Sequence, residues 1–358
     1  MGTKENIIMG LPYRIKMQVY YVYLLPFLLF RCSYPPINDY SFSETKELQS
    51  HSFSSYRIGY DYLIDKIDNY LIVVSFKNGD LISVYDADSQ RLLMHGASNG
   101  EGENELLAPV ALYVDKQERS FYIYDGMKQR QFKYDLGEIM KNGEIGTSVS
   151  IRLPSSGDFM NPVIPLGKGI NLTMTYDKEG HFMFFDKEGE VVGKLGEFEK
   201  MDVRGDDIPD MIYGLIWKGK YAVNKSRKLV IKAYMDYSRI SFFDMEANLL
   251  KDIWTGNKDM LTVEFDGQNV IKKGERKIHY GSVKVTDSFV YALYSGEGYD
   301  NDYSVFPGKE IHVFDYDGNR VSRYLLDKLV SDFCIDEEGN RIFGVNFTSD
   351  EEVIVFNL

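Results

Sequence analysis

One phrase recurs six times along the chain: alternating apolar residues, an aromatic, an Asp or Asn, then a turn. The copies are Ile82-Ser83-Val84-Tyr85-Asp86, Gln131-Phe132-Lys133-Tyr134-Asp135, Phe182-Met183-Phe184-Phe185-Asp186, Ile240-Ser241-Phe242-Phe243-Asp244, Ile311-His312-Val313-Phe314-Asp315 and Val353-Ile354-Val355-Phe356-Asn357. The intervals between their Asp or Asn positions are 49, 51, 58, 71 and 42 residues. Self-similarity at a period of about 40–50 residues marks a chain of repeated supersecondary units, each too small to bury its own apolar face. Period-two alternation makes each copy a half-buried strand rather than a helix.

The turns agree. Asp186-Lys187-Glu188-Gly189 and Asp315-Tyr316-Asp317-Gly318 begin with Asp and end with Gly, and Asp177-Lys178-Glu179-Gly180 and Asp336-Glu337-Glu338-Gly339 repeat the device one hairpin earlier. Asp accepts hydrogen bonds from the turn backbone, and Gly supplies the positive φ of a bulged hairpin. Further strands precede the copies at Tyr70–Phe76, Ser120–Tyr124, Leu229–Met235, Phe289–Tyr294 and Asn340–Phe347. The spacing predicts an all-β fold, a six-bladed β-propeller of four-stranded antiparallel blades over residues 53–358. The last copy ends at its third strand, so an N-terminal strand, Phe53–Ile58, is expected to complete that blade and close the ring. Regular short strands also fit two stacked β-sandwiches; the fixed period and the truncated last copy favour the ring. Short helical turns are expected at Leu136–Lys141 and Leu325–Leu329.

Composition supports a β-rich chain: 27 Tyr and 22 Phe against 2 Trp, with 31 Gly for turns. The formal charge is −13, which disfavours a nucleic-acid surface of clustered Lys and Arg. Two Cys exclude a disulfide framework, and five scattered His leave little for a His/Cys metal centre.

The first residues read as an export segment. Lys4, Arg14 and Lys16 precede an apolar run from Met17 to Phe30. It is short for a membrane span and suits the apolar core of a signal peptide. Leu28-Leu29-Phe30-Arg31-Cys32 resembles a bacterial lipobox in its leucines and its cysteine, with Arg31 where that motif has a small residue. Cys32 is the lipidation candidate; an incidental cysteine after a plain signal or an uncleaved anchor is the other reading, and Met9 is an alternative start. The organisation expected is a signal peptide at 1–32, a tether at 33–52 and the propeller at 53–358. Localisation follows as the cell envelope, with membrane attachment through an N-terminal lipid.

After the first copy comes Gly96-Ala97-Ser98-Asn99-Gly100-Glu101-Gly102-Glu103-Asn104-Glu105-Leu106-Leu107-Ala108-Pro109, and later Tyr280-Gly281 and Tyr291-Ala292-Leu293-Tyr294-Ser295-Gly296. These segments resemble the TolB-like six-bladed propellers of Bacteroidetes, the BF3164-like lipoproteins, over roughly residues 55–358. The resemblance implies an envelope propeller lipoprotein and carries over no catalytic residue.

Gly96-Ala97-Ser98-Asn99-Gly100 matches G-x-S-x-G, but Gly100, Gly102 and Pro109 forbid the helix a nucleophile elbow needs. Glu101, Glu103 and Glu105 form an acidic stretch that could hold Ca²⁺ or simply face solvent. Asp206, Asp207 and Asp210 lie in the 58-residue interval, and Glu297, Asp300, Asn301 and Asp302 in the 71-residue one. Insertions in a propeller map to loops at the ends of the ring, so these seven residues, together with the acidic crossover Glu101, Glu103 and Glu105, are the ligand-face candidates. No cofactor is required by any motif. Two functions fit: a module binding an envelope protein, peptide or glycan on the propeller face, or a metal-dependent lactonase- or lyase-type enzyme with acids converging on the central channel.

Overall fold

A computed structural model describes residues 40–53, 61–76, 79–146, 149–154, 161–175, 178–199, 203–204, 209, 214–258, 262–265, 270–273, 277–298, 307–346 and 353–358. Tyr40–Leu358 form one compact unit that contains every described strand.

Two strands lead the chain, Glu44–Leu48 (β1) and Ser50–Ser52 (β2). Blade I is Asp61–Ile67, Tyr70–Ser75, Asp80–Asp86 and Leu92–Ser98 (β3 to β6). Blade II is Pro109–Asp115, Ser120–Asp125, Arg130–Asp135 and Val149–Arg152 (β7 to β10), with a helix, Leu136–Asn142 (α1), before its last strand. Blade III is Ile164–Gly167, Ile170–Met174, Phe182–Asp186 and Val191–Leu195 (β11 to β14). A short strand, Val203–Arg204 (β15), precedes blade IV, which is Gly219–Asn224, Leu229–Tyr234, Arg239–Asp244 and Leu249–Trp254 (β16 to β19). The hairpin Thr262–Phe265 and Val270–Lys273 (β20, β21) follows, and β15 joins it in parallel to make a small sheet outside the blades. Blade V is Tyr280–Val285, Phe289–Tyr294, Gly308–Asp315 and Arg320–Val330 (β22 to β25). Blade VI is Asp332–Asp336, Arg341–Val345 and Ile354–Asn357 (β26 to β28), completed by β2.

The six copies are the third strands of the six blades. Their Asp residues do in three dimensions what the turn chemistry requires. Asp186 Oδ1 accepts from the Glu188 and Glu190 amides at 3.0 and 2.9 Å, and Asp244 Oδ1 from Glu246 and Asn248 at 3.0 and 2.8 Å. Asp135 uses the same position to cap α1, accepting from the Glu138 amide at 2.9 Å, and Gly143 ends the helix at φ 75°.

The core is divided among the blades. One apolar cluster fills the space between each adjacent pair, I/II, II/III, III/IV, IV/V, V/VI and VI/I. Six such clusters make a closed ring, because an open one would leave one blade face bare.

Closure through an N-terminal strand holds, but with an earlier donor than expected. Ser50–Ser52 pairs antiparallel with β28, and Phe53 adds one more backbone bond to Val353 at 2.9 Å. The Phe53 ring then turns inward, edge-on to Tyr85 and Phe343, so it serves as a core residue between blades VI and I. Residues 54–58 lie outside the described residues. The propeller likewise begins before the expected boundary at 53. β1 lies parallel on β25 as a fifth strand of blade V, within the stretch read as a tether. Phe42, Leu48 and Phe53 enter three successive inter-blade clusters, IV/V, V/VI and VI/I. The helical turn expected at Leu325–Leu329 is part of the long bulged strand β25, whose alternating burial overrides its leucine-rich sequence.

Candidate functional site

The first strand of each blade faces the ring axis. At the end where these strands begin, Tyr62, Val110, Asn161, Lys220, Ser282 and Ser331 bring all six blades to one cavity of about 190 Å³. Its walls are mostly apolar: Tyr62 stands edge-on to Phe76 with ring centres 5.9 Å apart, and Leu63, Leu112, Pro162, Tyr221 and Val283 complete them. Phe76 is 40% exposed at the rim, an unusual position for a phenylalanine in this chain. The Tyr221 hydroxyl lies 2.5 and 3.0 Å from the Pro162 and Leu172 carbonyls, sharing its one proton between them, and fixes the wall between blades III and IV. Burial pushes the Tyr62 hydroxyl well above its ordinary value, and the Asp125 charge adds to that, so Tyr62 is a neutral phenol at any physiological pH.

Below the mouth the channel is charged, and its charges are matched. Lys284 Nζ of blade V lies 3.0 Å from Asp65 of blade I and 3.5 Å from Asp332 of blade VI. Asp332 also accepts from Ser282 Oγ at 2.7 Å and from the Ile64 amide at 3.1 Å. Burial alone would lower the Lys284 pKa; Asp332 and Asp65 outweigh it and hold the ammonium above its usual value. Nearer the opposite end Lys66 meets Asp336 at 2.5 Å, and Lys225 of blade IV meets Asp115 of blade II at 2.5 Å. That last pair passes in front of blade III, whose first strand is only four residues long and bulged. The opposite end opens into a larger polar cavity of about 550 Å³ around these pairs.

The described loop candidates, Glu101, Glu103, Glu105 and Glu297, sit elsewhere. Glu101 and Glu103 are exposed, while Glu105 folds back to accept from the Gly102 amide at 2.7 Å. Lys128 Nζ pins the same loop through the Gly102 and Glu105 carbonyls at 2.7 and 2.6 Å. The three carboxylates therefore do not converge. Glu297 is exposed beside blade V. None of these four lines either cavity. Asp206, Asp207, Asp210, Asp300, Asn301, Asp302 and Cys32 lie outside the described residues. Ser98 ends β6 with no helix after it, and its carbonyl receives the Leu106 amide at 3.0 Å.

Sequence reasoning missed the channel lysines. Their signal is present: first strands such as Asp61-Tyr62-Leu63-Ile64-Asp65-Lys66 and Tyr280-Gly281-Ser282-Val283-Lys284 carry charge at positions where a buried strand should be apolar. Comparing first strands with one another, rather than third strands, exposes it. Two polar chains off the axis were missed as well. Buried His312 lies 3.0 Å from the Tyr280 hydroxyl and 3.2 Å from Glu310, which takes two bonds from Arg323 at 2.8 and 2.6 Å. Burial opposes ionisation of Glu310, but His312 and Arg323 prevail and set its pKa at about 2. The Arg239 guanidinium bonds Asp252 and Glu199 within rings from Trp217, Tyr234 and Trp254.

Fold and channel together define a closed six-bladed β-propeller with an apolar, six-sided mouth over a charge-matched axis. The chain belongs to the TolB-like 6-blade propeller-like family, whose model matches residues 41–338. Solved structures of the same fold include a DUF4221-family protein from Bacteroides vulgatus, with TM-score 0.56 and 11% identity over 87% of this chain and 95% of that one. Another is a candidate exported protein, BF0058, from Bacteroides fragilis, with TM-score 0.50 and 11% identity over 87% of this chain and 98% of that one. No curated protein matches the sequence. Among the described residues no helix is long and apolar enough to cross a membrane.

Proposed function

We propose that this propeller is a cell-envelope binding module, attached to the membrane by a lipid on Cys32, that takes a protein, peptide or glycan partner at the apolar channel mouth. The observation that carries the reading is the mouth itself: six blades converge on a small aromatic-lined cavity, with a phenylalanine left exposed at its rim. Concave, mostly apolar sites with a few placed polar groups are where ligands bind. The cavity suits one apolar or aromatic group of a larger partner, with Lys220, Ser282 and Ser331 as the polar part of its lining.

The enzymatic alternative needs acids free to ligate a metal. The channel acids Asp65, Asp115, Asp332 and Asp336 each already face a lysine ammonium, which stands where a cation would sit. Among the described residues no group of three or more His, Cys, Asp or Glu is arranged to hold a metal ion. Binding is therefore the better-supported function.

Peptide and glycan libraries displayed to immobilised protein test it. Wild type retains a subset of ligands that Phe76→Asp loses and that Glu103→Gln and Ser98→Ala keep. Retention by Phe76→Asp with loss in Glu103→Gln would return the site to the acidic loop.

A further inference from the structure

Large apolar side chains are exposed at nine described positions, and six of them fall on the outer strands of three consecutive blades. They are Val149 on β10, Val191, Val192 and Leu195 on β14, and Leu249 and Leu250 on β19, each between 42% and 63% exposed. The outer strands of the other blades carry none; the outer strand of blade V is covered by β1. The three strands are neighbours in space. A Cβ on Gly189, in the hairpin before β14, would stand 3.5 Å from the Arg152 carbonyl at the end of β10. A Cβ on Gly196, just after β14, would stand 3.6 Å from the Ala247 carbonyl just before β19. The result is one apolar strip around the rim rather than scattered residues, the pattern that marks an interaction surface.

The chain's own course selects the partner. The first described residue, Tyr40, packs in the cluster of Trp217, Tyr237 and Trp254, and Trp254 is the last residue of β19. A lipid on Cys32 would leave only eight residue steps to Tyr40, at most about 28 Å of extended chain. The rim of blade IV is then the part of the propeller held beside the bilayer. The strip's strands also depart from the acidity of the chain: they carry exposed Arg152, with Lys194 paired to Glu179 and Lys251 donating to the Asp317 carbonyl, and their single acid, Asp252, is paired with Arg239. An exposed side chain such as Arg152 lays its stem on apolar surface and places its charge among headgroups. Glu188, Glu190 and Glu246 border the strip on its hairpins, which suits a zwitterionic bilayer rather than a strongly anionic one.

We propose that the rim of blades II to IV is a membrane-contacting surface that rests on the zwitterionic headgroup region of a phospholipid bilayer. The inference rests on the lipid-anchored reading for its reach, and it fixes the channel axis along the membrane, with the mouth open to the side.

The test is flotation of residues 33–358, which contain the whole compact unit and lack the apolar N-terminal run, with phosphatidylcholine–phosphatidylethanolamine vesicles. Wild type and Met127→Asp, an exposed apolar residue away from the strip, float alike. Val192→Asp/Leu249→Asp/Leu250→Asp floats at least tenfold less, with unchanged circular dichroism and unchanged ligand retention at the channel mouth. Wild type that stays with the unbound protein, or a triple variant that floats like wild type, overturns the proposal. So does a wild-type dimer in sedimentation that the triple variant converts to monomer, since the strip would then join two copies of the chain. Labelling of Cys32 by a fatty-acid probe tests the anchor by itself: its failure removes the anchored reading whatever the vesicles show.

Discussion

Lys284 shows how single residues hold the axis together. Its ammonium bridges blades I and VI, and removing it would leave Asp65 and Asp332 facing each other without a cation. Breaking a buried pair by deleting one partner costs about 3–5 kcal/mol, because the remaining charge stays desolvated. Lys284→Met should therefore lower stability by about 3 kcal/mol in urea denaturation, and adding Asp332→Asn should recover part of the loss. The histidines act through pH. Burial, with Lys232 and Arg239 close by, holds His181 well below its ordinary value, and burial likewise lowers His279 to about 4. Both are neutral in the folded protein while the unfolded chain takes up a proton near pH 6.5, so folding loses stability as pH falls below about 6.5. For His279 the loss runs down to about pH 4, with a slope of about 1.4 kcal/mol per pH unit while only the unfolded state is protonated. Glu310 acts lower down: its contribution is complete above about pH 4.5 and disappears as pH falls through about 2. Urea titrations between pH 7 and 4 should show His279→Gln with a shallower decline than wild type; parallel curves would mean His279 is protonated in the folded state.

At the scale of elements, the third strands were legible because each carries its own turn chemistry, and Asp186, Asp244 and Asp315 bond the turns that follow them. The helix after Asp135 was legible for the same local reason. Closure by an N-terminal strand was legible from the truncated last copy, but its position at β2 and the added strand β1 were not. Phe42, Leu48 and Phe53 are three apolar residues in a polar stretch; their partners in blades V and VI lie some 240–310 positions away, and only Tyr85, beside Phe53, is nearer. No local pattern reports such pairing, since it joins segments far apart in the sequence. Deleting residues 33–39 should leave the thermal midpoint unchanged. Deleting residues 33–52 removes β1 and β2, bares the edges of β25 and β28, and should give aggregated or strongly destabilised protein. Deletion to residue 49, which takes β1 but keeps β2, should fall between them; equality with the 33–39 deletion would make β1 dispensable.

Over the whole molecule, the repeat foretold the ring but not the cavity at its mouth. The long interval drew attention to Glu297 and the acidic crossover to Glu101, Glu103 and Glu105, yet none of these lines either cavity. The mouth is assembled from two to four residues per blade, among them Tyr62, Val110, Asn161, Lys220, Ser282 and Ser331, and only closure brings them together. Each is unremarkable within its own strand. The central claim, that the partner is taken at this mouth, is tested most directly by placing a photo-crosslinking amino acid at position 76 in cells and, separately, at position 103. Adducts with envelope components from position 76, and none from position 103, are the result this account predicts; adducts from position 103 alone would contradict it.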